Sequence, residues 1–286
     1  MKLIRFGEAG KEKPGIIDAA GNYLDCSAFQ EDWNEAFFEN NGLDRLDAWL
    51  EANLESLNKI PENSRIGSPV ARPSKIVCIG LNYRKHAIES GMAVPEIPII
   101  FMKATSSLCG PFDPIYIPKN SVATDWEVEL AVVIGKRAKY VSKENAMDYV
   151  AGYCLHNDVS ERDFQLRHGG QWVKGKSADN FAPLGPFLST KFEIPYPHNL
   201  RLWLKLNGET IQDSNTSDLV FDIPTLIEHL SQYMTLLPGD VISTGTPAGV
   251  GLGFDPPKYL SEGDVVELGI DGLGVSRQVA MNDPEA

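Results

Sequence analysis

Two glutamates stand two positions apart in the segment Thr124–Gly135, and both side chains can bind a cation. The segment is rich in β-branched and apolar residues and ends at a glycine, so it predicts a β-strand. Alternation along a strand places Glu127 and Glu129 on the same face, roughly 6.6 Å apart. Two like charges this close on a partly buried sheet are unfavourable unless a cation lies between them. We interpret the pair as metal ligands; the alternative is the wet face of an edge strand, where such pairs are common.

A third carboxylate, Asp158, lies just beyond the predicted strand 151–156. A loop at the end of a strand can direct this side chain inward, towards the two glutamates. Three oxygen ligands, with no partnering cysteine or histidine, favour a hard cation such as Mg²⁺, Mn²⁺ or Ca²⁺ over zinc.

His86 and Glu89 form a second candidate pair, three positions apart in a predicted helical turn. Side chains with this spacing can touch on a helix. A carboxylate beside an imidazole fixes the tautomer of the ring and raises its basicity, which is the arrangement of a general base that activates water. The alternative is an ordinary surface ion pair, because Arg84 and Lys85 make the same turn highly charged.

Three cations and one loop are candidates for binding anionic oxygens. Lys103, Arg162 and Lys176 can bind a substrate carboxylate or an enolate, and the alternative for each is a solvated surface side chain. The glycines of Ser243–Gly253 do not match the dinucleotide-binding pattern, and the prolines that follow cannot open a Rossmann helix. Backbone N–H groups and threonine hydroxyls in this segment favour an anionic oxygen as its ligand. The alternative is a tight loop between strands.

Composition and charge exclude several classes of protein. The 286 residues carry a formal net charge of −13, which argues against binding nucleic acid through the surface field. The first residues lack the apolar segment of a signal peptide, and no apolar run approaches the ~20 residues of a membrane span. We therefore expect a cytoplasmic protein without membrane association. The four cysteines contain no C-x-x-C pair, which predicts reduced thiols rather than disulfides or a zinc site: Cys26, Cys78, Cys109 and Cys154.

The elements that must position these residues fall into two predicted regions. Residues 1–70 are predicted to form a small N-terminal domain and linker, with helix over much of 33–57 divided near Gly42. Residues 71–286 contain many strands, few helices and no regular alternation of the two, which predicts a β-rich α+β domain. The predicted strands are 75–80, 99–103, 124–135, 151–156, the hairpin 202–206 with 209–211, 241–244, 265–270 and 275–280. The predicted helices are 143–150 and 224–234, the latter capped by Asp222, and 169–177 is predicted to be an exposed loop.

The order of the motifs is more specific than any one of them. Six separated motifs follow one another along the chain: Gly80–Glu89, Phe101–Lys103, Asp125–Leu130, Asn157–Arg162, Gly175–Ser177 and Thr244–Gly251. In this order they closely resemble the fumarylacetoacetate hydrolase family, over residues 75–280. The resemblance implies a mixed β-sandwich roll, the fumarylacetoacetase C-terminal-like fold, beside a small variable N-terminal domain, and a homodimer.

The resemblance also implies a role for each candidate residue. Mg²⁺ or Mn²⁺ would be held by Glu127, Glu129 and Asp158, and His86 with Glu89 would activate water. Lys176 would stabilise a developing enolate. Substrate-binding positions would be Thr246, which would hold a carboxylate, together with Lys103, Arg162 and Gln171.

Within the family the chain is similar to bacterial 2,4-diketo-3-deoxy sugar acid hydrolases, which share the segment His168–Trp172. The implied reaction is metal-assisted hydrolysis of a C–C bond in a β-diketo, acylpyruvate-type acid. The same residues would also serve a lyase, hydratase or decarboxylase acting on a 2-oxo acid, including a ureidoglycolate lyase. A calcium-stabilised carbohydrate-binding module is the alternative from a different class, and the pair His86 and Glu89 argues against it.

Overall fold

Nineteen β-strands and six α-helices make up the fold, and the computed structural model describes residues 1–286. The first ten strands are β1 Lys2–Phe6, β2 Lys13–Ile17, β3 Tyr23–Asp25, β4 Ile66–Gly67, β5 Ile76–Gly80, β6 Ile99–Lys103, β7 Leu108–Cys109, β8 Ile115–Ile117, β9 Thr124–Asp125 and β10 Val128–Ile134. The others are β11 Val150–Asn157, β12 Ser160–Glu161, β13 Ala182–Pro183, β14 Leu188–Thr190, β15 Arg201–Leu206, β16 Glu209–Asn215, β17 Val241–Ser243, β18 Val265–Ile270 and β19 Gly274–Asn282. The helices are α1 Glu35–Glu39, α2 Gly42–Asn53, α3 Arg84–Glu89, α4 Arg162–Leu166, α5 Val173–Lys176 and α6 Ile223–Tyr233.

Two large mixed sheets confirm the predicted β-rich α+β class. The first sheet has ten strands in the order β3-β2-β1-β14-β11-β10-β17-β5-β6, with β4 paired to β1. Its strands pair antiparallel except for the parallel pair β17 and β5. The second sheet has the order β16-β15-β18-β19-β8, and its parallel pair is β19 with β8. Strand β10, which carries Glu129, therefore lies in the interior of the larger sheet.

Strand β10 is buried on both faces. Its even-numbered residues pack in a cluster that includes residues of β15 and β18 from the second sheet, and its residues Ala131 and Val133 pack in a different cluster. Near the start of the strand the same odd-numbered face carries Glu129, which is 1% exposed. The alternative interpretation as a wet edge strand is therefore wrong.

The predicted continuous strand 124–135 is interrupted at Trp126 and Glu127. Side chains replace the neighbouring strand as hydrogen-bond acceptors at this point: the Glu127 N–H donates to Asn157 Oδ1 at 3.1 Å, and the Val128 N–H donates to Gln212 Oε1 at 3.0 Å. Buried backbone donors need such partners. The N–H groups of Glu127 and Val128 are therefore both satisfied at the interruption. The sequence pattern did not indicate it, because the apolar and β-branched residues continue on both sides.

The N-terminal region is joined to the rest of the chain by both pairing and packing. Strand β1 pairs antiparallel with β14, and Leu3, Trp33 and Leu46 belong to the same hydrophobic cluster as Ala131 and Val133 of β10. Gly42 starts α2, as the predicted division of the 33–57 helix requires. The domain boundary at residue 70 stays a prediction, since the first sheet and this cluster both cross it.

Most of the other predicted elements are confirmed, with two differences. The hairpin of β15 and β16, the pair β18 and β19, and helix α6 with its Asp222 cap all form. The predicted helix 143–150 is a 3₁₀ helix over Lys143–Tyr149. The predicted loop 169–177 contains α5, which buries Lys176. None of the helices has the length and apolar character that crossing a membrane requires, and all four cysteines are free and buried as predicted.

We predict that Trp33→Ala destabilises strands β10 and β11 as well as the N-terminal region. Trp33 is fully buried and donates from Nε1 to the Ile4 carbonyl at 2.8 Å. Truncating a buried aromatic side chain lowers the free energy of unfolding by about 3–5 kcal/mol. Because the cluster is shared, hydrogen exchange measured by mass spectrometry should rise in β11 as well as in β1. Tyr196→Ala, at a side chain that is 76% exposed, is the control. Faster exchange confined to residues 1–70 would contradict the shared core.

Candidate active site

Three buried carboxylates meet where β10 and β11 lie side by side. Glu127 occupies the interruption before β10, Glu129 is the second residue of that strand, and Asp158 directly follows β11. The register pairs Glu129 with His156. The Asp158 N–H donates to the Glu127 carbonyl at 2.9 Å, which fixes Asp158 beside Glu127. One carboxylate oxygen from each of the three lies within 4.8 Å of the others. The sequence-predicted ligand set therefore assembles in space.

Cations cover two of these carboxylates. Lys176 Nζ lies 2.8 Å from Glu127 Oε2 and 2.9 Å from Asp158 Oδ2, so one buried ammonium bridges both groups. Lys103 Nζ donates to Asp158 Oδ1 at 2.5 Å and to the Val159 carbonyl. Burial opposes ionisation of Asp158, but these two lysines hold its pKa below the ordinary value. Burial also opposes the charge of Lys176, but Asp158 and Glu127 raise its pKa, so it stays an ammonium.

Arg162 completes the set of cations and is held by three partners. It donates from Nε to Asp125 Oδ2 at 2.8 Å, from one terminal nitrogen to Glu127 Oε1 at 2.6 Å, and from the other to Gln165 Oε1 at 3.1 Å. Burial raises the pKa of Glu127, but Lys176 and Arg162 outweigh that effect and hold the pKa below its usual value. The guanidinium thus fixes the position of the first ligand.

Glu129 has no cationic partner. Its Oε2 accepts from Ser243 Oγ at 2.5 Å and from the Gly245 N–H at 2.9 Å. Burial, followed by the neighbouring charges of Asp158 and Glu127, raises its pKa well above the ordinary value. The four buried carboxylates of the site, Asp125 included, thus face three cations, and Glu129 is the carboxylate without an ion pair. Three clustered carboxylate oxygens, one of them on a group without an ion pair, fit a hard divalent cation such as Mg²⁺ or Mn²⁺.

A hydrogen-bonded chain supports Glu129 from behind. His156 Nδ1 lies 2.6 Å from Ser243 Oγ, and burial lowers the pKa of His156 to about 3, so the ring is neutral. A serine hydroxyl has one proton. Since Ser243 gives that proton to Glu129, His156 Nδ1 must carry the proton that it shares with Ser243. His156 Nε2 is then a buried acceptor, and it has no hydrogen-bond partner.

The predicted dyad lies beside this cluster on α3. His86 Nδ1 is 3.3 Å from Glu89 Oε2, and His86 is 9% exposed. The Gly249 N–H donates to both oxygens of Glu89, at 3.0 and 3.1 Å. A Cβ on Gly253 would lie 2.6 Å from the Glu89 carboxyl carbon, so a larger residue there would require the Glu89 side chain to move. Fixed in this way inside a cavity, the pair differs from an ordinary surface ion pair.

The loop that follows β17 contributes backbone donors as predicted, but two of its groups are already engaged. The Gly245 N–H is bound to Glu129, at a φ of +103° that favours glycine. Thr246 Oγ1 donates to the Val128 carbonyl at 3.0 Å and accepts from Gln212 Nε2 at 2.9 Å. A substrate carboxylate can receive the Thr246 proton only if the bond to Val128 is exchanged.

A cavity of about 390 Å³ joins the cluster to the dyad. Seven of the residues assigned from the sequence line it: His86, Glu89, Glu127, Glu129, Arg162, Lys176 and Thr246. Lys103 and Asp158 lie behind this wall and are fully buried at their side chains. Gln171 is exposed and lies outside the cavity. Its carbonyl accepts from the Lys174 N–H at the turn into α5. The neighbouring residue Trp172 lines the cavity instead.

Comparison with known proteins identifies the family of the chain. Residues 75–280 match the family model described as the fumarylacetoacetate (FAA) hydrolase C-terminal domain. The chain belongs to the fumarylacetoacetate hydrolase family. It is 53% identical, over 279 residues that cover 97% of this chain and 98% of the relative, to a Burkholderia cenocepacia protein named only provisionally as a hydrolase.

Two solved structures of enzymes share the whole fold. Maleylpyruvate hydrolase from Sphingobium sp. SYK-6, in complex with manganese(II) and pyruvate, is 30% identical with a TM-score of 0.81, and 99% of each chain is covered. The 2-hydroxyhepta-2,4-diene-1,7-dioate isomerase from Mycobacterium marinum is 31% identical with a TM-score of 0.76, at the same coverage. Members of the family with this fold therefore include both hydrolases and isomerases.

Residues that the sequence did not single out complete this family site. Gln165 and Trp172 line the cavity, and His156 and Ser243 position Glu129. Gln165 stands three positions after Arg162 at the start of a helix, a spacing that could have indicated their contact. The contact between His156 and Ser243 joins residues 87 positions apart, and no local pattern signals it.

We predict that Ser243→Ala weakens Mn²⁺ binding about tenfold, because residues that orient a metal ligand typically contribute a factor of 10 to 100 in affinity. His156→Asn should weaken it in the same direction. Since His156 acts through Ser243, adding His156→Asn to Ser243→Ala should change the dissociation constant little further. Titration calorimetry with Mn²⁺ measures the four constants, and thermal melting checks that each variant is folded. Fully additive losses would contradict the chain of hydrogen bonds.

Proposed function

We propose that the protein is a divalent-metal-dependent hydrolase that cleaves a C–C bond in a β-diketo acid of the acylpyruvate type. The observation that carries the proposal is the cluster of three buried carboxylates in which Glu129 has no cationic partner, within hydrogen-bonding networks that fix all three side chains. The manganese ion and pyruvate bound by the Sphingobium relative support it, because pyruvate is the product that hydrolysis of an acylpyruvate releases.

Glu127, Glu129 and Asp158 would hold Mg²⁺ or Mn²⁺. When bound, the ion would polarise the carbonyl oxygens of the 2-oxo acid. Lys176, an ammonium beside the same carboxylates, lies where it can stabilise negative charge on a substrate oxygen. This arrangement favours substrates that pass through an enolate.

His86 would activate the water. Its Nδ1 faces Glu89, so Nε2 is the atom that can accept a proton. As water adds to the C4 carbonyl carbon, one water proton passes to His86 Nε2. The C3–C4 bond then breaks, its electron pair forms the pyruvate enolate stabilised by Lys176, and the proton returns from His86 to C3. The products are pyruvate and the carboxylic acid of the acyl group.

Other reactions of a 2-oxo acid need the same enolate. A lyase, hydratase or decarboxylase, ureidoglycolate lyase included, would use the carboxylates and Lys176 in the same way, and the Mycobacterium marinum relative is an isomerase. The pair of His86 and Glu89 favours a reaction that consumes water, hydrolysis or hydration, over lyase cleavage, decarboxylation or isomerisation, because such a reaction requires an activated water. It also argues against a calcium-stabilised carbohydrate-binding module. The 2,4-diketo-3-deoxy sugar acid substrate, the homodimer and the cytoplasmic location stay predictions.

We predict that Glu129→Gln abolishes both Mn²⁺ binding and turnover without destabilising the metal-free protein. The amide keeps the shape of the side chain and replaces a buried carboxylate that has no ion pair in the metal-free protein, so the melting temperature in EDTA should equal or exceed that of the wild type. The wild type should gain melting temperature on addition of Mn²⁺, and the variant should not. Release of pyruvate from an acylpyruvate should stop with EDTA and return with Mg²⁺ or Mn²⁺. Full activity after removal of metal would contradict the proposal.

We predict that His86→Asn leaves the Mn²⁺ dissociation constant unchanged and lowers kcat about 10²- to 10⁴-fold, the usual contribution of a general base. Calorimetry measures the dissociation constant, and an assay of released pyruvate measures kcat on the same preparations. The matched control is Ile88→Ala on the same helix, at a side chain that is 73% exposed. Wild-type turnover in the His86 variant would show that another group activates the water.

A further inference from the structure

The cavity is divided chemically into a charged part and an apolar part. Eight of its 19 lining residues are hydrophobic. Apart from the carboxylates and their cations, the charged or ionisable side chains that line it are those of the dyad, His86 and Glu89. A bound 2-oxo acid would place its carboxylate near the cluster, so its acyl end would meet the apolar side chains.

The apolar wall is held rigidly by packing. Trp172 stands edge-to-face against Phe101, with ring centroids 5.2 Å apart. A Cβ on Gly80 would lie 2.8 Å from the Trp172 ring, so the indole fills the space that a side chain would otherwise occupy. Phe101 also lies under Lys176, whose Nζ is 4.9 Å from the ring centroid. The apolar wall therefore begins directly beside the proposed enolate site.

Both cations that line this cavity are already paired with carboxylates of the protein. Arg162 is engaged by Asp125, Glu127 and Gln165, and Lys176 bridges Glu127 and Asp158. Glu89, the acidic residue that lines the cavity outside the carboxylate cluster, would repel an anionic acyl end. A carboxylate without a partner in such surroundings is strongly disfavoured, because burial of a charge needs pairing.

We infer that the substrate carries one carboxylate only, at its 2-oxo acid end, and an uncharged acyl group that packs against Trp172. This inference rests on the proposed function, since it assumes that the 2-oxo acid end lies at the three carboxylates. The expected selectivity is not determined by the metal site alone: monocarboxylic acylpyruvates bind, and diacids of the same length do not bind well.

A matched pair of compounds tests the selectivity. Butanoylpyruvate and succinylpyruvate have the same seven carbons and differ at the last one, which is a methyl group in the first and a carboxylate in the second. Binding is measured by calorimetry to the Mn²⁺-loaded His86→Asn protein, which keeps the substrate intact. We expect the dissociation constant of butanoylpyruvate to be at least about tenfold lower, a difference that corresponds to about 1.4 kcal/mol.

A single charge placed on the apolar wall should reverse the preference. Leu166, at the end of α4, and Leu252 both line the cavity and are 47% and 39% exposed, so a longer side chain can be accommodated at either. Leu166→Arg should shift the ratio of the two dissociation constants towards the diacid by at least about tenfold. Leu166→Met is the matched control, since it adds length without charge and should change both constants alike. Leu252→Lys provides the same test from a different loop.

The results separate this inference from the proposed reaction. Tighter binding of succinylpyruvate, equal binding of the two compounds, or no binding of either would overturn the inference. Tighter binding of butanoylpyruvate supports it. If the wild type binds butanoylpyruvate more tightly but releases no pyruvate from it, the hydrolytic function is wrong and the selectivity stands.

Discussion

The site depends on one electrostatic imbalance: four buried carboxylates share three cations at the start of a central strand. Asp125, Glu127 and Asp158 are matched by Lys103, Arg162 and Lys176, while Glu129 has only hydrogen-bond donors. Burial without a cationic partner disfavours the ionised form of Glu129 and raises its pKa. A divalent cation would stabilise the arrangement, whereas a fourth protein cation would occupy the place where a substrate oxygen must bind.

The fold supplies the rigidity that this imbalance requires. Strand β10 is covered on one face by the second sheet and on the other by the cluster that contains Leu3, Trp33 and Leu46, so Glu129 cannot turn to bulk solvent. The interruption before β10 then separates Glu127 from the regular ladder and lets it meet Asp158 across the strand pair. Helices α4 and α5 bring Arg162 and Lys176 to the same point from outside the sheet. Ligands fixed by packing and by surrounding hydrogen bonds are organised before a metal or substrate arrives.

The chemistry of the site was predictable from the sequence wherever it depends on residue type and short spacing. Alternation in a strand gave the pair Glu127 and Glu129, and a helical turn gave His86 with Glu89. Contacts between distant segments were not predictable, because no local pattern marks them; His156 with Ser243 is the clearest case. The position of Gln171 outside the cavity was not predictable for a related reason, since the neighbour that faces the cavity depends on the turn into α5. The interruption at Trp126 was hidden by an apolar pattern that continues through it.

The most direct test of the metal site is an anomalous difference map from crystals of the protein grown with Mn²⁺, recorded at the manganese absorption edge. We predict one strong peak per chain, bounded by the carboxylates of Glu127, Glu129 and Asp158, with Lys103 and Arg162 still bound to their present partners. The account would be contradicted by a fully ordered site with no manganese peak among the three carboxylates and with Lys176 still bridging Glu127 and Asp158.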